Sequence, residues 1–292
     1  MSYKDPKGIT AAAIETGATK AALRWDKALV AGFLAGAYIA FGGLLAITVS
    51  SGLDPKTWGT LPTLFTGAVF ALGLILVVIA GSELLTGNMA LVPLATFNRR
   101  VSLPGLSRNL TVVLIGNLLG SLFVAYFLAV QTGVVTAELP LARLGQIAQA
   151  KGVTESEWQI FLRAVGCNWL VCLAVWMALG AADVAGKILA IFFPIMAFVA
   201  MGFDHVVANM FFLPAAIFAH VPGITWWDAI HNWIFAFLGN FVGAAVFVAG
   251  AYYYLYGRPT PVEDEPGDTP SGVDYGDGAA RRGRITRPAH RA

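Results

Sequence analysis

The chain has 292 residues, 57% of them hydrophobic and only 12% charged, with a mean hydropathy of +0.70; a soluble domain carries about 25% charged residues. Its net charge of +2 forms no basic stripe, which argues against a nucleic-acid partner. Cys167 and Cys172 share one apolar run, so they read as buried thiols rather than a disulfide framework or metal site, and the class expected is an all-α integral membrane protein.

Taken in chain order, residues 1–27 come first. From Gly8 to Lys27, Ala, Ile and Leu alternate with Glu15, Lys20, Arg24 and Lys27, the pattern of an amphipathic helix on the membrane surface. A crossing needs about 20 mostly apolar residues. That criterion places six spans: Ala28 to Ser50, Thr63 to Phe97, Leu110 to Gln131, Ile160 to Leu179, Ile188 to His220 and Ala229 to Tyr256. The second and fifth are too long for one straight crossing, and each is predicted to be two shorter helices joined by a non-helical stretch at mid-membrane. Residues 28–257 form the membrane domain. Residues 258–292 turn rich in Pro, Gly, Asp, Glu and Arg, the composition of a disordered tail.

The two long spans carry related interruptions. Gly81-Ser-Glu-Leu-Leu-Thr-Gly-Asn-Met-Ala-Leu-Val-Pro93 returns as Gly202-Phe-Asp-His-Val-Val-Ala-Asn-Met-Phe-Phe-Leu-Pro214, with Glu83 matched by Asp204, Asn88 by Asn209 and Met89 by Met210. The likeness continues in Gly116-Asn117-Leu-Leu-Gly120 and Gly239-Asn240-Phe-Val-Gly243, whose small residues suit close helix packing. Repeat one covers 28–134 and repeat two 158–257. Three spans per repeat force the second to enter the membrane inverted, so the breaks meet near the midplane, where such repeats place a substrate site.

Lys4, Lys7, Lys20, Arg24 and Lys27 before the first span, and Arg99, Arg100 and Arg108 after the second, put both termini in the cytoplasm. The loops at 52–62, 132–158 and 222–228 then face outward. A broken helix survives in a bilayer only where its backbone is buried in protein or lines a polar cavity. Half-helix N-termini pointing inward from both breaks would attract an anion. Glu83 and Asp204 are expected to cap backbone N–H groups there rather than bind cations. His205 stands inside the second break, whereas His220 and His231 flank a loop and His290 lies in the tail. A titratable group at membrane depth is a functional candidate. Desolvation opposes its charged form and an arriving anion favours it, so anion and proton would move together. Thr86 offers a hydroxyl in the other break. Asn168 is read first as an inter-helix hydrogen bonder, and Phe70, Leu74, Leu84, Val171 and Phe198 as possible hydrophobic constrictions.

Phe70-Ala-Leu-Gly-Leu-Ile-Leu76, Gly81-Ser-Glu-Leu-Leu-Thr86, Cys167-Asn-Trp-Leu-Val-Cys-Leu-Ala-Val-Trp-Met177 and Gly202-Phe-Asp-His-Val-Val-Ala-Asn-Met210 together resemble the formate/nitrite transporter family of small-anion channels, from about Lys27 to Tyr256. The resemblance implies an aquaporin-like fold, a homopentamer with one pore per protomer, His205 as the central pore histidine and Thr86 as its partner. It further implies constrictions at Phe70, Leu74, Leu84 and Phe198, contributions from Asn168 and Val171, and Lys151, one residue out of register, as the outer anion-attracting lysine. Asp204 stands where the family usually has Glu, and Leu85 where some members have Phe. Ser82 to Gly87 with Cys167-Asn-Trp169 is nearest the nitrite branch and Met210 to Pro214 nearest the formate branch, so nitrite is favoured and formate is the alternative. Rival readings fit less well. An aquaporin-type pore would carry Asn-Pro-Ala where this chain has Asn-Met, a redox anchor subunit would pair histidines, and an enzyme would show a nucleophile, metal cluster or phosphate loop. No cofactor or metal is expected.

Overall fold

The computed structural model describes residues 3–258, and every named element among them is helical. The predicted tail lies outside the described residues beyond Arg258. Besides the single helical turn Pro55–Trp58, the helices in chain order are α1 (Pro6–Ala22), α2 (Trp25–Ser50), α3 (Leu61–Gly81), α4 (Leu85–Phe97), α5 (Leu103–Val130), α6 (Glu138–Gln149), α7 (Glu157–Gly180), α8 (Val184–Ala200), α9 (Val206–Phe218) and α10 (Trp226–Gly257). Their starts carry ordinary N-terminal chemistry. The side chains of Asp5, Ser102 and Asp183 accept from the first-turn backbone of α1, α5 and α8, and Ser156 with Gln159, and Thr225 with Asp228, form capping boxes on α7 and α10.

Five helices, α2, α3, α5, α7 and α10, are long and apolar enough to cross a bilayer. The fifth predicted span contains no such helix. It is divided into α8 and α9 by residues 201–205, just as the second is divided into α3 and α4 by residues 82–84. Each repeat uses the same contacts: α2 packs on α3 and α5 as α7 packs on α8 and α10, while α3 and α8 meet between the repeats. The glycines of α5 and α10 permit these crossings. A Cβ on Gly120 would fall 2.0 Å from the Phe33 carbonyl oxygen, and one on Gly243 would fall 2.3 Å from that of Val165. Any side chain there would push the helices apart.

Two segments differ from the sequence reading. The predicted loop 132–158 contains α6, which buries Leu144 and Ala148 and runs into a π-helical turn, Ala150–Thr154. Its apolar residues are too few for a span but enough to seat it over the bundle. The helix predicted from Gly8 to Lys27 is α1, which buries Thr10, Ala13, Gly17 and Ala21 and packs along α4.

Candidate functional site

Both breaks begin at a glycine in the left-handed region, Gly81 at φ +83° and Gly202 at φ +72°, a conformation that a side chain would oppose. The chain then runs extended into the next half-helix, through Leu84 before α4 and His205 before α9. This leaves buried backbone groups outside any helix, and an asparagine on a neighbouring helix satisfies them in each case. Asn117 of α5 accepts from Leu85 N–H at 2.9 Å and donates to the carbonyls of Glu83 and Gly32, both at 2.8 Å. Asn240 of α10 accepts from Val206 N–H at 2.9 Å and donates to those of Asp204 and Ala164, both at 2.8 Å. An amide side chain suits this task because it carries both donor and acceptor.

Glu83 and Asp204 do not cap the backbone as expected; each holds a lysine. Lys20 Nζ lies 2.8 Å from Glu83 Oε1, and Lys151 Nζ lies 3.0 Å from Asp204 Oδ1. With Asn117 and Asn240 already serving the backbone, the buried carboxylates are left to pair with cations, as buried charges must. Asn88 and Asn209 donate to these same carboxylates at 2.8 Å. Asn88 also donates to Asn109 at 3.0 Å and Asn209 to Asn232 at 2.8 Å, and Asn109 and Asn232 hold the carbonyls of Lys20 and Lys151, both at 3.0 Å. The two chains of contacts join corresponding residues, but Lys20 and Asn88 take different oxygens of Glu83 whereas Lys151 and Asn209 share Asp204 Oδ1. Lys151 reaches its partner from the π-helical turn Ala150–Thr154.

The breaks differ at the positions that face each other. His205 Nδ1 accepts from Ala208 N–H at 3.1 Å and caps α9, while Leu84 gives α4 no side-chain cap. His205 Nε2 lies 2.9 Å from Thr86 Oγ1 across the breaks. Both residues are buried, and the imidazole stacks on Phe198 with ring centres 5.9 Å apart. On the Lys151 side, a cavity of about 250 Å³ is lined by Lys151, Arg143 and Arg163 and reaches Phe70, Phe198 and His205. On the Lys20 side, one of about 440 Å³ is lined by Lys20, Glu83 and Lys187 and reaches Leu74 and Leu84. Phe70 meets Phe198 edge to face at 6.0 Å and lies over Phe212 at 6.4 Å.

Asn168 and Val171 line neither cavity. Asn168 donates to the Thr86 carbonyl at 3.2 Å and the Asn240 carbonyl at 2.8 Å, tying the two breaks to α7, and Val171 is buried beside it. Cys167 and Cys172 are free and buried, with Cys172 also contacting the Thr86 carbonyl at 3.3 Å. Among the described residues no group of three His, Cys, Asp or Glu side chains is placed to hold a metal. Sequence reasoning left Asn109, Asn117, Asn232, Asn240, Phe212 and Lys20 out of the site. The four asparagines were accessible, since Asn109 and Asn232 stand at the same offset as Asn117 and Asn240. Lys20 lies before the repeat and carries no comparable signal.

Two half-helices meeting within a bundle of long apolar helices, with a lysine-bearing cavity on either side, define a multi-pass membrane transport protein rather than an enzyme. Residues 7–254 match the family described as Formate/nitrite transporter, and the chain belongs to that family. It is 52% identical to the uncharacterized transporter YrhG of Bacillus subtilis, over 88% of this chain and 95% of that one. It is 48% identical to a probable formate transporter of Methanothermobacter thermautotrophicus, over 87% and 98% of the two chains. Among solved structures it is similar to an FNT family ion channel, with TM-score 0.79, 33% identity and coverage of 85% and 98%. A pentameric formate channel with formate bound gives TM-score 0.71, 30% identity and coverage of 80% and 98%.

Proposed function

We propose that this protein is a channel for small monovalent anions, nitrite and formate, working as a homopentamer in the cell membrane with both termini cytoplasmic. The observation that carries the reading is the Thr86–His205 contact of 2.9 Å, buried between two cavities that each present a lysine. The Lys151 cavity is assigned to the outer face and the Lys20 cavity to the cytoplasmic face, following the basic residues of the amino-terminal segment. The names of the relatives support both anions alike, since a probable formate transporter and the nitrite transporter NirC of Salmonella typhimurium both match the chain.

An anion entering from outside meets the field of Lys151 and is drawn towards a mouth closed by Phe70 and Phe198. Past the rings it exchanges water for fixed donors. Because His205 Nδ1 accepts from Ala208 N–H, a neutral imidazole carries its proton on Nε2 and donates it to Thr86 Oγ1. The threonine hydroxyl hydrogen is then available to the anion, polarised by the ring behind it, while the N-terminal ends of α4 and α9 add positive potential. Full protonation of the ring would set Nδ1–H against Ala208 N–H. A proton that travels with the anion is therefore supplied from the aqueous side, and the imidazole polarises rather than surrenders its own.

Flux into proteoliposomes of formate, nitrite, lactate and glycerol tests the reading. Formate and nitrite are expected to pass and glycerol to be excluded. Glycerol permeation comparable to formate would support a neutral-solute pore instead.

A further inference from the structure

The outer cavity contains a second carboxyl that the Thr86–His205 pathway does not use. Glu155 ends the π-helical turn that carries Lys151, and its side chain is 6% exposed. Its Oε1 is ion-paired with Arg163 of α7, but its Oε2 is buried with no hydrogen-bond partner among the described residues. Asp204 Oδ2 is in the same condition, since Lys151 and Asn209 both bind Oδ1. Both carboxyl groups belong to the surroundings of Lys151: Asp204 is ion-paired with it at 3.0 Å, and Glu155 ends the same turn. Two ionised carboxylates would repel, whereas one proton between them gives both free oxygens a partner at once.

We infer that Glu155 and Asp204 share a proton in the outer vestibule, and that Glu155 is the titrating residue that sets the charge an arriving anion meets. The inference rests on the channel reading for its consequence and on geometry for the site itself. Every charged group facing Glu155 enters the balance: Arg163 from α7, Lys151 and Arg143 from α6 and its turn, and Asp204 with the neutral His205 from the second break. Asp228, Glu157 and His231 are engaged nearby, Asp228 in its capping box and Glu157 with His231 at 3.0 Å. Three cations against two ionised carboxylates leave one positive charge in the vestibule; with the shared proton there are two.

Burial pushes the Glu155 carboxyl up to about 7, with Lys151 pulling the other way and Asp204 adding to the rise. The sign follows directly. Below about 7 the acid form predominates and the vestibule is more positive; above it the proton leaves to water and anion capture weakens. The inner vestibule has no such group, because both oxygens of Glu83 are already bonded, to Lys20 and Asn88. The pH response should therefore belong to one face.

The test uses right-side-out and inside-out membrane vesicles containing the full chain, with formate as probe and the pH stepped across about 7 on one side only. Taking the ratio of wild-type to Glu155→Gln flux at each pH removes the titration of formate itself. With pH stepped at the outer face, the ratio is expected near one on the acid side and to fall by about tenfold on the alkaline side, the scale of electrostatic focusing. With pH stepped at the cytoplasmic face it should stay flat. A flat ratio at the outer face overturns the inference. Infrared titration of detergent-solubilised wild type provides a readout that needs neither flux nor a variant fold. The carbonyl band of a protonated carboxyl should disappear as pH rises through about 7, and its absence at every pH would equally overturn the proposal. A titrating band in a protein that passes no anion would leave the proton site standing and remove the channel reading.

Discussion

The two breaks are built alike and finished differently. Each has a left-handed glycine, an asparagine that serves the bare backbone, a second asparagine and a lysine on a buried acid, and a third asparagine that holds the lysine carbonyl. The shared parts answer a requirement of any interrupted helix in a bilayer, that no backbone polar group go unsatisfied. The parts that are not shared, Leu84 against His205 and Thr86 against Val207, lie where the half-helices begin. On the proposed reading, scaffold is thus separable from selectivity. The same comparison distinguishes the faces, since Asp204 retains a free oxygen beside Glu155 whereas Glu83 has none.

The largest expected effect probes the ion pairs. Lys151→Ala leaves Asp204, 0% exposed, as an unpaired buried charge, and breaking such a pair costs about 3–5 kcal/mol. Lys20→Ala should cost less, because Lys20 and Glu83 are 19% and 9% exposed. Thermal unfolding in one detergent ranks the two, and adding Asp204→Asn to Lys151→Ala should recover much of the loss. Equal losses would mean that the faces are not energetically distinct. Next come Asn117→Ala and Asn240→Ala. Membrane-helix hydrogen bonds average about 0.6 kcal/mol, so losing three should cost about 2 kcal/mol. The two variants should match, and a wide difference would break the correspondence of the scaffolds. Smaller again is Thr86→Val, which removes one hydroxyl at nearly constant shape; a net hydrogen bond of about 1 kcal/mol corresponds to about fivefold in formate flux. Val207→Thr, at the matching position, should leave flux unchanged, and a similar change in both would show that the breaks share the chemistry.

Much of this organisation can be read from the chain. A helix break in a membrane needs unusual residues, so the Gly81 and Gly202 segments stand out against apolar surroundings, and their likeness reveals the repeat. What each polar residue bonds to is less accessible, because it depends on which helices cross. Glu83 and Asp204 look like caps when only their own segments are considered. Asn117 and Asn240, one helix away, take that task and leave the acids to Lys20 and Lys151. Helix α6 is hidden for a related reason: it is too polar to read as a span, and only its seat over the bundle buries Leu144 and Ala148. Lys20 lies outside the repeated sequence, so only the fold brings it to Glu83.

The central claim is that the imidazole paired with Thr86 discriminates among anions while the rest of the break only holds it in place. His205→Asn tests this most directly, because asparagine can still cap the first turn of α9 but offers no ring to polarise Thr86. The measurement is the ratio of formate to chloride flux in proteoliposomes, for wild type and the variant at the same pH. The account predicts that the ratio collapses towards unity in a variant that still assembles and still conducts. An unchanged ratio would contradict it and place selectivity in the phenylalanine constriction instead.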